Sequence, residues 1–129
     1  MAVNPYELYK QQEVLSANRG ELLLLLYDNC IKQMKLARLH LADRNMQGAH
    51  QSLVKAQDIL SELCTDLDMQ YEISGKLLQL YRYFHGQLVQ ANIKKDASFI
   101  EPVLAMMGEL REVWQQAARQ AQRAATQGE

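Results

Sequence analysis

The sequence predicts an all-α protein, an antiparallel up-down-up-down four-helix bundle with a short N-terminal arm or helix ahead of it. Three observations carry that reading. The only prolines are Pro5 and Pro102, so long stretches run without a helix breaker. Those stretches are rich in Leu, Gln, Ala, Lys and Glu, which favour helix. Within them, apolar residues recur at alternating steps of four and three, the spacing of one helix face.

Taken in order, residues 1–17 form the arm, 18–121 the bundle and 122–129 a fraying tail. The first long helix is expected to start at Asn18, a good N-cap, with Glu21 three residues on as in a capping box. Its stripe reads Leu23, Tyr27, Cys30, Met34, Ala37, Leu41, and it should end near Asp43. Asn45 is the expected cap of the second helix, whose stripe is Ala49, Leu53, Ala56, Leu60, Leu63, Leu67. Asp68 is the candidate cap of the third, with the stripe Ile73, Leu77, Leu80, Phe84, Leu88, Ala91. The fourth follows Asp96 and carries Pro102 in its first turns, where a missing N–H is tolerated. Its stripe is Ile100, Val103, Met107, Leu110, Trp114, Ala117, Ala121. Links of a few residues make successive helices antiparallel.

The helices carry more apolar surface than one core can take. Leu22 to Leu26 are consecutive leucines. At about 100° per residue they point around the whole helix, whereas a bundle core takes a single stripe. Some must face outward. Leu77, Leu78, Leu80, Tyr81, Tyr83 and Phe84 spread over a similarly wide arc of the third helix. The arm, through Tyr6, Leu8, Tyr9 and Val14, could cover this surplus; equally, the surplus could be a groove for a partner. A removable arm satisfies both.

Several functions are disfavoured. The net charge is −1, and the basic excess near the end (Arg111, Arg119, Arg123) suits a helix C-terminus rather than a phosphate-binding face. The two cysteines, Cys30 and Cys64, form no CxxC pair and read as core thiols. No Glu stands three residues before a His, and His40, His50 and His85 fall on three different helices, so no metal site is expected. No phosphate loop or haem motif is present, so no cofactor and no catalysis are expected. The opening residues lack a signal-peptide apolar region. The longest apolar run, Leu22 to Tyr27, falls well short of the roughly 20 residues of a membrane span. The expected location is the cytoplasm.

Several segments together resemble the flagellar secretion chaperone family, FliS. Asn4-Pro5-Tyr6-Glu7-Leu8-Tyr9 is similar to that family's tyrosine-bearing N-terminal segment, and Ser16 to Leu22 to its helix entry. Leu26-Tyr27-Asp28-Asn29-Cys30-Ile31 resembles its LYDG-type motif, and Lys55 to Leu60 its KAQDII segment. Leu67-Asp68, Leu80 to Tyr83, Leu88 to Asp96 and Leu110 to Trp114 follow in the family's order. Two positions depart: Arg19 stands where proline is common, and Asn29-Cys30 replaces the commoner Gly-Ala.

The resemblance implies a cytosolic export chaperone, not an enzyme. Its partner would be the disordered C-terminal segment of flagellin, kept from premature polymerisation and delivered to the flagellar type III export apparatus through an export-gate component. A chaperone for another secreted helical segment is the alternative. On this reading Leu22, Leu23 and Leu26 make apolar client contact, with Tyr27 at the groove edge. Tyr81 packs on the client and Asn92 bonds its backbone, while Tyr6, Tyr9 and Val14 cover the groove. Asp28 reads as a solvated charge. The client-free protein is open to self-association, with neither nucleic acid nor stable membrane insertion expected.

Overall fold

The structure, a computed structural model, describes the backbone of residues 17–127 and the side chains of residues 20–123. Four α-helices follow one another: α1 (Ala17–Ala42), α2 (Met46–Thr65), α3 (Glu72–Lys94) and α4 (Glu101–Gln127). A short 3-10 turn, Ala97–Phe99, separates the last two, and no strand occurs among the described residues. The result is an all-α bundle.

The links show what the local sequence encodes. Arg44 adopts a left-handed φ of 58° after α1. Asn45 then caps α2, its side-chain oxygen accepting from the Gly48 N–H at 3.0 Å. Lys95, also left-handed, ends α3, its N–H donating to the Ala91 carbonyl. Asp96 accepts from the Ser98 N–H at 2.9 Å and starts the 3-10 turn. That bond is the main reason its carboxyl sits below the usual range. Pro102 is the second residue of α4, where its missing N–H costs nothing.

Three boundaries differ from expectation. α1 is already helical at Ala17, so Asn18 lies inside the helix rather than at its cap. Asp68 does not cap α3. Its carboxylate accepts from the Gln70 N–H at 3.0 Å, a turn bond within the link, and its carbonyl accepts from the buried Ser74 hydroxyl. The cap position belongs to Tyr71, which makes no side-chain cap bond. Finally, α4 continues as helix to Gln127, past the Ala121 limit read from its shrinking apolar face. Alanine and glutamine lack a core stripe but are good helix formers.

The core takes Tyr27, Cys30, Met34 and Ala37 from α1, and Ala49, Leu53, Ala56, Leu60 and Leu63 from α2. From α3 it takes Leu77, Tyr81, Phe84, Leu88 and Ala91, and α4 supplies Val103, Met107, Leu110, Trp114 and Ala117. Ile100 seals the link. The stripe-end residues Leu23, Leu41, Leu67, Ile73 and Ala121 are half-buried, and within α3 the buried residue is Tyr81 while Leu80 is half-buried. Between Leu77 and Phe84 either residue makes one step of three and one of four, and Tyr81 takes the core position, where its hydroxyl finds a buried partner.

Packing is uneven. α1 and α2 meet through Cys30, Ala37, Ala49, Ser52 and Ala56, small residues that let helix axes approach closely. There the Cys30 thiol reaches the Ala56 carbonyl at 3.7 Å. α3 and α4 are separated by Tyr81, Phe84, Met107 and Trp114, and their backbones approach closely at few points. The helices therefore pack in the spatial order α4, α1, α2, α3, with the last side of the bundle loose.

Candidate functional site

α1 carries the surplus that its consecutive leucines require. None of the five is fully enclosed. Leu22 is 50% exposed and Leu25 55% exposed, while Leu23, Leu24 and Leu26 are half-buried against the core. Further along, Leu36 and the exposed Leu39 lie on the same face as Leu22 and Leu25, in a three-four spacing interrupted by Asn29 and Lys32. The helix thus has an inner stripe for the core and an outer apolar band facing solvent. Leu25 and Leu39 join the candidates; the spacing 22, 25, 29, 32, 36, 39 is the signal that finds them.

Beside this band, Leu24 and Gly20 line a shallow cleft of about 190 Å³ between the start of α1 and the end of α4, closed by Gln115, Ala118 and Arg119. Below the cleft, Arg111 of α4 holds Asp28 of α1 through two guanidinium–carboxylate contacts, Nε to Oδ1 at 2.5 Å and Nη2 to Oδ2 at 3.3 Å. Asp28 is exposed, as a solvated charge should be, and is in addition an interhelical ion-pair partner. A second pair, Arg38 to Glu101 at 3.2 Å, joins the same helices near the other end of the bundle.

Tyr27 and Tyr81 are corrections. Tyr27 is 0% exposed and Tyr81 1% exposed, so neither side chain lies at a groove edge or on a packing surface for a client. They meet edge to face, ring centres 6.3 Å apart, and their hydroxyls hydrogen-bond at 2.6 Å. Trp114 Nε1 donates to the Tyr27 hydroxyl at 3.2 Å. Burial, before any other cause, pushes both phenols well above the usual tyrosine range, so both stay neutral. This three-helix node was not foreseen: its members stand far apart in sequence, and periodicity says nothing about which buried hydroxyls meet.

Asn92 is half-buried at the end of the bundle away from Leu22 to Leu26, on the flank of α3 that meets α2. Its side-chain oxygen accepts from Lys95 Nζ at 2.7 Å, and its amide lies 2.9 Å from His50 Nδ1. A client backbone would have to compete with both. Tyr6, Tyr9 and Val14 lie outside the described residues. The Cys30 thiol is buried, and burial pushes it up to about 12. Cys64, half-buried beside Arg82 and His85, is raised more mildly. Both are free thiols. Among the described residues, no group of three or more His, Cys, Asp or Glu is placed to hold a metal ion. No helix there is long and apolar enough to cross a membrane.

Comparison with known proteins points the same way. The family described as Flagellar protein FliS matches residues 2–121. The chain is 38% identical over 114 residues to the flagellar secretion chaperone FliS of Bacillus subtilis, covering 88% of this chain and 86% of that one. It is 31% identical over 109 residues to the protein of that name from Escherichia coli, covering 82% and 80% of the two chains. With the Salmonella typhimurium protein it shares 32% over 109 residues, covering 82% and 81%. A match over nearly its whole length, on an all-helical bundle with an outward leucine band, makes this chain a member of the FliS family of flagellar secretion chaperones.

Proposed function

We infer that this protein is a cytoplasmic chaperone for flagellin. It binds the disordered C-terminal segment, prevents premature polymerisation, and helps deliver the subunit to an export-gate component of the flagellar type III apparatus. The single observation that carries the reading is the outward apolar band of α1. A soluble bundle that leaves Leu22 and Leu25 half exposed or more holds surface suited to the apolar face of a guest segment. Leu22, Leu23 and Leu26 make that contact, extended by Leu25. Tyr27 and Tyr81 support it from inside the bundle. Tyr6, Tyr9 and Val14 cover the groove between clients.

Ordering a flexible segment costs several kcal/mol, so the interface must be large, on the order of 2,000 Å² in total. Calorimetry with a synthetic peptide of a flagellin C-terminus tests this directly. Saturable binding accompanied by a negative heat-capacity change is expected. Absence of binding to that peptide, with capture of a different exported segment, would transfer the chaperone role to another client. Sizing with and without peptide then shows whether the empty band pairs two copies.

A further inference from the structure

α4 is fastened to α1 by Arg111–Asp28 and Arg38–Glu101. Among the described residues no ion pair spans α3 and α4. The flank of α3 bearing Asn92, His85 and Arg82 faces α2, as the His50–Asn92 contact and the small cavity beside Cys64 show. The opposite flank of α3 carries Leu80, half-buried against the core, and the exposed Tyr83. On α4, the flank away from Asp28 carries Val113 and the exposed Met106. Lys76 and Gln87 share the first flank and Glu109 and Gln116 the second, and among the described residues no ion pair or hydrogen bond joins the two flanks. Beneath them lies the Tyr27–Tyr81–Trp114 node, the hydrogen-bonded tie that crosses from α3 to the α1–α4 pair in this part of the core.

The node is short of acceptors. Trp114 Nε1–H points at the Tyr27 oxygen, and the hydroxyl–hydroxyl bond uses one of two phenolic protons. The other proton has no acceptor among the described residues. Among the described residues, the α3 side of the node is tied by aromatic packing and one hydroxyl–hydroxyl bond to Tyr27.

We propose that this node is the latch of the α3–α4 seam: Tyr27, Tyr81 and Trp114 are positioning residues that set how often the seam opens, and opening sets how fast client is taken up. The proposal rests on the chaperone reading above. It also answers a need of that reading. The exposed leucines of α1 alone offer a narrow band, whereas a client interface of the required size needs more apolar area. A parted seam adds Phe84, Met107 and Leu110, which are buried when it is closed.

The test uses the full chain and Tyr81→Phe, which removes the hydroxyl and keeps the ring. Hydrogen exchange of the client-free protein should run roughly three- to tenfold faster in α3 and α4, with α1 and α2 unchanged. Stopped-flow fluorescence of Trp114, the sole tryptophan, should show a flagellin C-terminal peptide associating faster by a similar factor. Tyr27→Phe breaks the same bond from α1 and also removes the acceptor of Trp114 Nε1, so it must speed exchange in α3 and α4 and peptide association at least as much, which guards against a folding defect in one variant. Exchange that is unchanged, or faster equally in all four helices, overturns the latch. So does selective opening with an unchanged association rate. If the unaltered protein binds no flagellin peptide, the chaperone reading fails instead, a separate result because the exchange measurement contains no peptide.

Discussion

The first and last helical hairpins, joined by links of three and six residues, pack very differently. In the first, α1 and α2 approach through alanines, a serine and a cysteine, closely enough for a thiol to reach a carbonyl across the interface. In the last, α3 and α4 are consecutive in sequence yet held apart by two aromatic rings, an indole and a methionine. α4 instead packs on α1, which its ion pairs also favour. A short link makes helices antiparallel neighbours; the volume of the side chains between them decides how tightly they close. The loose hairpin is where this molecule can change shape.

The largest expected effect tests the last hairpin. Trp114→Ala should cost about 3–5 kcal/mol, the usual range for deleting a buried large aromatic. It also removes the indole N–H that donates to the Tyr27 hydroxyl. The urea midpoint measures it. A loss under about 1.5 kcal/mol would mean that α3 and α4 collapse onto the gap, and that the seam is plastic rather than propped by the indole.

The first hairpin should answer to alkaline pH through Cys30. Its thiol is raised by burial from 9.0 to about 12. Below pH 9 both folded and unfolded chains keep the proton, and the thiol adds no pH dependence. Above pH 9 the unfolded chain loses its proton while the folded one retains it, so stability falls, by about 3 kcal/mol at pH 11. Because other groups titrate there, the quantity to follow is the difference between the unaltered protein and Cys30→Ala. A constant difference from pH 8 to pH 11 would show that the α1–α2 contact admits water to the thiol.

This contrast was only half visible beforehand. The stripes of α2 and α4 were legible because a buried line at helical spacing is a local property: Leu53, Leu60, Met107 and Trp114 are buried as their spacing requires. The outward leucines were legible for the same reason, since five in succession cannot share one face. Choices between equally spaced neighbours were not. Tyr81 displaced Leu80 from the core because Tyr27, 54 positions away, offers its hydroxyl a partner. Asp28 is exposed as its sequence position suggests, but its pairing with Arg111, 83 positions away, is invisible to any local pattern. Asp68 has the chemistry of a cap, but that chemistry is used inside the link, where its backbone and side chain both serve the turn. The site residues that proved interior are the ones whose placement depended on such distant pairings.

A smaller effect is expected at the Asp28–Arg111 contact. Its side chains are partly open to solvent, so Asp28→Asn should cost about 1 kcal/mol or less at low salt, and less still near 1 M salt. Hydrogen exchange should quicken in α1 and α4 and leave α3 as it was, the mirror of breaking the tyrosine pair. Loosening of α3 in this variant would show that the two sides of α4 are coupled and that the hairpin contrast is not local.

The smallest stability effect should come from the outer band. Leu25 is more than half exposed, so Leu25→Ser should change folding stability by no more than about 0.5 kcal/mol in either direction. Its effect on client binding should be larger than on folding. If a flagellin peptide covers the remaining apolar surface of Leu25, losing that contact should weaken binding by about 1–2 kcal/mol, or roughly five- to thirtyfold in Kd. Calorimetry and urea titration on the same preparation separate the two quantities. The opposite pairing, stability lost and affinity kept, would mean that Leu25 is covered by the chain's own residues and that the guest sits elsewhere. In that case the loose hairpin becomes the principal binding surface, and the leucine band part of the bundle's own packing.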